Sequence, residues 1–269
     1  MKNNTIKEFN LKNKVCIITG GTGLLGKEFS RACAEHNAIV IIVDIDKKKG
    51  DVVVKEIQKD THNDNIFFEK CDITSVEEVK LLVKRIKRRF GKIDALVNNA
   101  YPRNKRYGRK FEDVACKDFC ENVNMHLGGY FLTTQEIAKV MIKQKRGIIV
   151  FLGSIYGFAA PKFDIYYKTN MKIPVASIEL AAIKGGILQL TKYLAAYLAP
   201  HQIRVNAISP GGVFDNQPEL FVKKYLTKVR LGSRMAYPDD ISGALIFLLS
   251  DASKYMTGQN IIVDGGWSI

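Results

Sequence analysis

Short apolar runs rich in valine and isoleucine alternate with amphipathic segments along this chain of 269 residues. Runs that are apolar on both faces are typical of strands in a parallel sheet covered by helices on its two sides. The runs predict strands at residues 15–19, 38–44, 66–71, 95–98, 148–153, 204–208 and 260–263. The amphipathic segments predict helices at residues 24–37, 47–59, 75–90, 114–144, 178–199 and 238–250. The alternation therefore predicts an α/β fold with one doubly wound parallel sheet of about seven strands.

The same pattern predicts one domain over residues 1–269, because no Pro/Ser-rich linker and no internal repeat interrupts it. Three irregular stretches, 99–110, 156–176 and 210–237, are longer than ordinary loops. They follow the fourth, fifth and sixth predicted strands, so they would lie at the carboxyl edge of the sheet, where such folds bind ligands.

The composition, with 46% hydrophobic and 25% charged residues, is that of a globular protein and excludes disordered and collagen-like classes. The apolar runs are far shorter than the roughly 18–20 residues that a membrane span needs, so we expect no membrane association. Residues 1–5 have neither an apolar core nor a cleavage site of small residues, which argues against a secretory signal. We therefore expect a cytoplasmic protein.

The five cysteines are spread along the chain and form no Cys-x-x-Cys pair. Cys116 and Cys120 stand four residues apart on a predicted helix, but no histidine lies at ligand spacing. We expect no metal site, and we expect the cysteines to be buried free thiols in a reducing compartment.

The net charge of +14 raises the question of nucleic-acid binding. In the densest basic stretch, residues 80–92, apolar residues that include Phe90 alternate with the charges at helical spacing, and we expect no aromatic side chain to project among the charges as a stacking platform. It predicts an amphipathic helix with a solvated basic face, so nucleic-acid binding is not favoured. A positive field instead favours an anionic small-molecule substrate, such as a sugar phosphate or a nucleotide sugar.

The first predicted strand is followed by a glycine turn, residues 19–26, and then by a helix. Gly21, Gly23 and Gly26 fit the G-x-G-x-x-G pattern in the strand–turn–helix context of a Rossmann-type dinucleotide site. Asp44 ends the second strand 18 residues after Gly26, where a carboxylate can bind an adenosine ribose and repel a 2′-phosphate. NAD(H) is therefore favoured over NADP(H). The alternative is that the glycines only form a tight turn.

Through the glycine turn and Asp44, and through further motifs, the chain resembles the short-chain dehydrogenase/reductase family over nearly its whole length. The resemblance extends to Cys71-Asp72-Ile73, Asn98-Asn99-Ala100, Ser209-Pro210-Gly211-Gly212 and the C-terminal stretch from Thr257-Gly258 to Gly265-Gly266. It departs at Leu24, where many members have glycine, and its T-G-x-x-G-x-x-G spacing is closer to the family's longer sugar-nucleotide branch. The resemblance implies cofactor contacts from Gly20, Gly21, Thr22, Gly23, Leu24, Leu25, Asp44, Asp72, Ile73, Asn98, Ala100, Lys184, Pro210, Gly211 and Val213.

The family's chemistry uses a serine, a tyrosine and a lysine four residues after the tyrosine. The resemblance gives Ser154 the serine role, Lys184 the lysine role, and Asn124 the place of an asparagine that orders a proton-relay water. The tyrosine position, however, holds Leu180, which has no proton to donate. Loss of a general acid–base group typically slows a reaction by about 10²–10⁴-fold.

Three accounts of Leu180 remain open. Another hydroxyl substitutes for the tyrosine, with Tyr156, Tyr166 and Tyr167 as candidates; the alternative for these tyrosines is ordinary loop packing. The chain binds NAD as a catalytically impaired partner subunit of a sugar-biosynthesis enzyme. Or Leu180 is a variant residue in an otherwise active enzyme. The one Tyr-x-x-x-Lys in the sequence, Tyr101 to Lys105, lies in a proline-containing loop, which is the wrong context for the catalytic helix.

Within the family, the chain resembles the flagellin-modification protein A group, which is linked to bacterial surface-sugar biosynthesis. This resemblance rests on residues 98–105, 154–157 and 210–217, and on an insertion that contains Thr169-Asn170-Met171. It implies hydride transfer to or from an activated or phosphorylated sugar. The basic residues Arg103, Lys105, Arg106 and Arg109 either clamp a phosphate or form a solvated loop. The family resemblance also implies a homodimer or homotetramer, built partly on the helices predicted at 114–144 and 178–199.

Overall fold

In the computed structural model, which describes residues 5–269, the seven strands form one parallel sheet. The strands are β1 (Val15–Thr19), β2 (Ile39–Asp44), β3 (Ile66–Lys70), β4 (Ala95–Asn98), β5 (Gly147–Leu152), β6 (Ile203–Pro210) and β7 (Asn260–Val263). Their order is β3-β2-β1-β4-β5-β6-β7. The chain adds strands outward on one side from β1 to β3, then crosses over and adds β4 to β7 on the other side, which confirms the doubly wound sheet. Residues 1–4, on which the prediction about a secretory signal largely rests, lie outside the described residues.

The helices pack against both faces of this sheet. They are α1 (Thr5–Glu8), α2 (Leu24–Glu35), α3 (Lys47–Thr61), α4 (Val76–Phe90), α5 (Cys116–Val123), α6 (Gly129–Gln144), α7 (Ile178–Leu198), α8 (Glu219–Leu226) and α9 (Asp239–Leu249). The helix predicted at 114–144 consists of α5 and α6, joined by a π-helical turn at Asn124–Gly128. Helix α8 lies in the stretch 210–237 that the sequence predicts to be irregular, because eight residues are too few to show a clear period.

Both faces of the sheet are buried. Residues of α4, α6 and α7, including Leu82, Tyr130 and Ile187, form the core on one face, and residues of α2, α3 and α9 form the core on the other. A smaller apolar group, here called the Trp267 cluster, lies beyond the carboxyl ends of the strands. It consists of Ile155, Ile165, Phe221, Tyr225, Met235 and Trp267. The helices on the two faces of the sheet thus hold the strand ends in place, and the Trp267 cluster forms a wall beside these ends.

The sequence prediction about the cysteines is wrong for two of the five. Cys16, Cys33 and Cys71 are buried free thiols as expected, but Cys116 and Cys120 are exposed on α5. Cys116 and Cys120 fall on the outer face of α5. The periodicity of residues 114–144 does not predict their exposure.

The basic helix α4 has the predicted amphipathic form, with Val79, Leu82, Val83 and Ile86 buried and its charges outward. No helix in the described range 5–269 has the length and apolar character needed to cross a membrane. Within the same residues, no three histidine, cysteine, aspartate or glutamate side chains converge as metal ligands.

Candidate active site

The carboxyl ends of the central strands open into one cleft of about 1100 Å³. The glycine turn lines one end, and Ser154, Leu180 and Lys184 line the other. All the cofactor contacts that the sequence predicts line this cleft except Gly21 and Asn98, which lie behind its wall. The structure therefore brings together residues from six separate segments of the chain.

Close backbone packing fixes the glycine turn. Gly20 has a positive φ of 62°, and a Cβ atom at this position would lie 2.6 Å from the Cα atom of Ala100. A Cβ atom on Gly26 would lie 2.1 Å from the carbonyl oxygen of Gly20. Gly21 packs against Ile42 of β2, where a Cβ atom would lie 2.8 Å from the Ile42 side chain. No other residue fits at Gly20 or Gly26 without moving the backbone.

Two adjacent asparagines at the end of β4, Asn98 and Asn99, hold the elements around this turn. The side-chain amide of Asn99 donates to the carbonyl oxygens of Thr19 and Gly20, at 3.0 and 3.1 Å. The side chain of Asn98 donates to Thr134 and accepts from Thr133, and so fastens β4 to α6. The sequence pattern does not assign Asn99 to the glycine turn, because its contact is made across the sheet from a segment about 80 residues away.

Helix α2 begins at the glycine turn, and its first three residues, 24–26, line the cleft. Its N-cap residue is Gly23, which offers no capping side chain. The uncapped amides at a helix N-terminus favour an anion such as a diphosphate. With Gly20 and Gly26 excluding side chains from the turn, the residues present fit a dinucleotide.

Asp44 lies at the end of β2, beside the glycine turn. One carboxylate oxygen accepts hydrogen bonds from the Thr22 backbone N–H, at 3.1 Å, and from the Thr22 hydroxyl, at 2.7 Å. The other oxygen accepts from the backbone of Ile45, at 2.8 Å. Asp44 thus connects the turn to β2 and places a half-buried carboxylate at the cleft. Asp72 and Ile73, after β3, line the same part of the cleft.

At the other end, α7 positions Leu180 and Lys184 on adjacent turns of one helical face. Ser177 caps α7 by accepting from the Leu180 backbone N–H at 3.0 Å. The Lys184 ammonium donates to the carbonyl oxygen of Leu152, the last residue of β5, at 2.6 Å. Ser154 follows two residues later, and its hydroxyl oxygen accepts from the Tyr156 backbone N–H at 3.2 Å.

The short turn after Ser154 packs tightly on α7. A Cβ atom on Gly157 would lie 2.8 Å from the backbone carbonyl of Lys184. This close approach brings Ser154, Leu180 and Lys184 to one wall of the cleft. Because Lys184 is only 4% exposed, burial lowers the pKa of its side chain to about 7.

Asn124 does not line the cleft. The structure places it in an exposed position within the π-helical turn. The buried side chain from this turn is His126, whose ring contacts Tyr101 and Tyr130 edge-on, with centroid distances of 5.0 and 4.9 Å. Burial and, to a lesser extent, the charge of Lys184 hold the pKa of His126 well below its usual range. Neither ring nitrogen of His126 has a hydrogen-bond partner among the described residues.

The candidate tyrosines separate into lining and non-lining residues. Tyr156 and Tyr166 line the cleft and bring their hydroxyl oxygens within 3.2 Å of each other. Burial raises the pKa of both phenols. Tyr167, in contrast, is exposed and does not line the cleft.

Tyr101 is excluded on sequence grounds because it lies in a proline-containing loop, yet the structure places it at the cleft. Its ring lines the cleft, and its centroid lies 5.9 Å from the Lys184 ammonium. Its hydroxyl bonds to that of Tyr107, and the Arg103 guanidinium lies 5.0 Å from its ring centroid. Burial raises the pKa of Tyr101, although the bond with Tyr107 and the charge of Arg103 oppose this effect. A proline-containing loop gives no periodic signal that would have identified this tyrosine.

The basic residues of the same loop diverge. Arg103 lines the cleft, but Arg106 lies 3.6 Å from Asp118 in an ion pair, and Arg109 lines a separate, smaller cavity. Lys105 is exposed and lies outside both cavities. A four-residue phosphate clamp therefore does not form in this structure. Of these four basic residues, only Arg103 lines the cleft.

Comparison with known proteins agrees with this architecture. Residues 23–268 match a family model described as enoyl-(acyl carrier protein) reductase. Post-translational flagellin modification protein A from Campylobacter coli is 36% identical over 260 residues, which cover 96% of this chain and 100% of that protein. A 3-oxoacyl-(acyl-carrier-protein) reductase from Thermotoga maritima is 33% identical over 261 residues, which cover 95% of this chain and 98% of that protein.

A solved structure shows the same fold. A short chain dehydrogenase from Leptospira borgpetersenii, crystallised with bound NAD+, has a TM-score of 0.82 and 34% sequence identity. The match covers 100% of this chain and 97% of that one. Because the family model and these relatives extend over nearly the whole chain, the protein belongs to the short-chain dehydrogenase/reductase family of nicotinamide-dependent oxidoreductases.

Proposed function

We propose that the protein is an NAD(H)-dependent oxidoreductase that acts on an activated or phosphorylated sugar. The observation that carries this proposal is the continuous cleft, with the glycine turn at one end and Ser154 and Lys184 at the other. A single cleft of this size accommodates a dinucleotide and a small substrate side by side.

The cofactor would lie along the cleft from the glycine turn to Lys184. The uncapped N-terminus of α2 would hold the diphosphate, and Asp44 would accept hydrogen bonds from the adenosine ribose. Lys184 would hold the nicotinamide ribose. When bound, the nicotinamide ring supplies or accepts a hydride. The Asp44 carboxylate supports NAD(H) over NADP(H), because it would repel a 2′-phosphate.

Ser154 would bind the substrate oxygen through its hydroxyl. Its backbone position directly after β5 gives it little freedom, since its hydroxyl oxygen already accepts from Tyr156. A hydroxyl held in place before the substrate arrives polarises a carbonyl without further ordering cost. Asn124 would order a proton-relay water from the π-helical turn, in which Asn124 is exposed and its neighbour Met125 lines the cleft.

Leu180 leaves the usual proton donor missing, and the lining tyrosines are the first candidates to replace it. Tyr101, Tyr156 and Tyr166 all reach the cleft, and burial raises the pKa of each phenol. Phenols that stay protonated near neutral pH suit a proton donor in the reduction direction better than a base in the oxidation direction. The Tyr101 ring centroid lies 5.9 Å from the Lys184 ammonium.

The second candidate function is a catalytically impaired NAD-binding subunit that supports a partner enzyme. The observation that favours it is Leu180 itself, an apolar side chain at the wall where Ser154 and Lys184 meet. A third account, a variant leucine in an otherwise active enzyme, predicts that the restored tyrosine alone returns full activity.

The substrate class rests on charge and on similarity. The net charge of +14 and the Arg103 guanidinium at the cleft support an anionic substrate. The Campylobacter coli relative is named for flagellin modification, which supports a role in surface-sugar biosynthesis.

We further propose a single-domain protein that assembles as a homodimer or homotetramer in the cytoplasm. The exposed aromatic residues Phe131, Tyr193 and Tyr197 on α6 and α7 support an assembly surface. The five free thiols suit a reducing compartment.

The test is NADH binding, measured by fluorescence titration, together with turnover on fructose 6-phosphate and UDP-glucose as the two probe classes. The protein itself is compared with Leu180→Tyr. Micromolar NADH binding in both, with turnover in the unchanged protein, supports an oxidoreductase with a substitute donor.

The other outcomes separate the two candidate functions. NADH binding in both proteins with turnover only in Leu180→Tyr supports the impaired partner subunit or a variant leucine. Absence of NADH binding in both contradicts the proposed cofactor site.

A further inference from the structure

The first two turns of α5 carry a pair of exposed thiols outside the cleft. Cys116 is the first residue of α5 and Cys120 follows one turn later, with their sulfur atoms 4.0 Å apart. The pKa of the Cys120 thiol is raised by its hydrogen bond to Cys116. Cys116 stands in the first turn of α5, at the positive end of the helix dipole.

The core contains a second pair of neighbouring thiols that differs in exposure. Cys16 on β1 and Cys33 on α2 are both buried. The pKa of Cys33 is raised well above its usual value by the hydrogen bond with Cys16 and by burial. Buried thiols of this kind are unreactive, whereas exposed thiols at a helix N-terminus are accessible to oxidants.

Helix α5 also anchors the loop that borders the cleft, residues 101–109, here called the substrate-side loop. Asn122 of α5 accepts from the Asn104 backbone N–H at 2.9 Å, and its amide donates to the Asn104 side chain at 3.2 Å. Asp118, which lies between the two cysteines in sequence, is buried and forms the ion pair with Arg106. The same loop carries Tyr101 and Arg103 into the cleft.

We propose that Cys116 and Cys120 form a redox-active dithiol that reacts with small-molecule disulfides and is coupled to the substrate-side loop. The Cys116 thiolate attacks the disulfide, forming a mixed disulfide and releasing one thiolate. Cys120 then loses its proton to water and attacks the Cys116 sulfur, releasing the second thiolate. The two protein thiols are oxidised to one disulfide, and the small disulfide is reduced to two thiols.

Geometry connects this reaction to the loop. Residues four apart on an intact helix have Cβ atoms about 5–6 Å apart, whereas a disulfide needs about 3.5–4.5 Å. The first turn of α5 must therefore open when the bond forms. That turn is closed by the Phe119 backbone N–H donating to Ala115, and it holds Asp118 against Arg106. Opening it breaks the Asp118–Arg106 ion pair and so weakens the attachment of the loop to α5.

The experiment uses the reduced full chain and oxidised glutathione as the probe. Remaining thiols are then blocked with N-ethylmaleimide under denaturing conditions, and the peptides are analysed by mass spectrometry. We expect the peptide with Cys116 and Cys120 to lose two hydrogen atoms, while Cys16 and Cys33 remain reduced and serve as the internal control. In Cys116→Ser we expect only a glutathione adduct on Cys120, formed about tenfold more slowly.

Three results would overturn the proposal: full blocking of both cysteines in the unchanged protein, glutathione adducts on both without a crosslink, or equal reaction rates in the unchanged protein and in Cys116→Ser.

Hydrogen exchange tests the coupling between the dithiol and the substrate-side loop. Amides of the substrate-side loop should exchange about fivefold faster after oxidation, with no change in the identically treated Cys116→Ser, Cys120→Ser double variant. Unchanged loop exchange in the crosslinked protein would refute the coupling. Neither measurement requires a bound nicotinamide, so the result is independent of the proposed function.

Discussion

At the glycine-turn end of the cleft, backbone atoms fix the geometry. At the other end, which Ser154, Leu180 and Lys184 line and which is here called the reaction end, side chains form the wall. Gly20 and Gly26 leave no space for a Cβ atom, and Asn99 holds the turn from across the sheet. Around Lys184, by contrast, the half-buried side chain of Leu180 lines the open cleft. The cofactor end is therefore restricted to few sequences, while the reaction end can change its chemistry by substitution.

The largest effect should come from Gly26→Ala. The added Cβ atom would lie 2.1 Å from the Gly20 carbonyl oxygen, so the turn must shift. We expect NADH affinity to fall by about 100-fold or more, because the backbone that approaches the diphosphate is displaced. The matched control is Gly243→Ala on α9, where a Cβ atom meets no atom within 4 Å. Equal NADH affinity in the two variants would show that the backbone does not fix this end.

Leu180→Tyr should alter the reaction end alone. A tyrosine one turn before Lys184 restores a proton donor, and we expect turnover on the sugar probes to rise by about tenfold or more. NADH affinity should stay within about twofold, because the glycine turn is distant from this position. Tyr101→Phe and Tyr166→Phe, made in the unchanged protein, identify which phenol acts in its absence. If Leu180→Tyr brings no gain and neither phenylalanine variant loses activity, the reaction end carries no proton transfer.

The buried Lys184 should make stability depend on pH. Its pKa is lowered to about 7 in the folded protein, below its value of 10.5 when solvated, because the ammonium is desolvated. Between these pH values the unfolded state binds more protons, so stability rises with pH by roughly 1 kcal/mol per pH unit. Denaturant unfolding of the protein and of Lys184→Met should therefore give diverging pH profiles from about pH 7 to 10. Parallel profiles would show that Lys184 is not desolvated.

Asp44→Ala should have the smallest effect on NADH affinity. It should also change the selectivity between NADH and NADPH. Removing the carboxylate takes away the ribose acceptor and the repulsion of a 2′-phosphate, so we expect NADH affinity to fall about fivefold while NADPH affinity rises. The control is Asp46→Ala, a neighbouring carboxylate that caps α3 through Lys49. An identical NADH-to-NADPH ratio in both variants would contradict the role of Asp44.

The sequence predicted the sheet and the glycine turn because both depend on local patterns. Continuous apolar runs identify buried strands, and a turn between β1 and α2 needs glycines at fixed spacing. Helix α7 was placed correctly, including Leu180, because Lys184 and its neighbours lie in one regular helix.

The sequence could not place the residues around Lys184. The π-helical turn at Asn124–Gly128 adds residues to one helical turn and rotates the face that follows. The family resemblance assigned Asn124 to the site, and the structure shows Asn124 exposed and His126 buried in this turn. Tyr101 was excluded because of its loop context, and its position depends on how that loop folds back onto α5 and α6.

The Trp267 cluster has an optical consequence. Trp267 is the one tryptophan in the sequence, fully buried, and it contacts the Tyr156 ring at a centroid distance of 5.6 Å. Its emission therefore reports from a single place, the wall that Tyr156 shares with the cleft. A ligand that moves this wall changes the intrinsic fluorescence of the unlabelled protein, and the overlap of tryptophan emission with NADH absorbance adds an energy-transfer signal. Cofactor and substrate can thus be followed separately in one cuvette without an introduced dye.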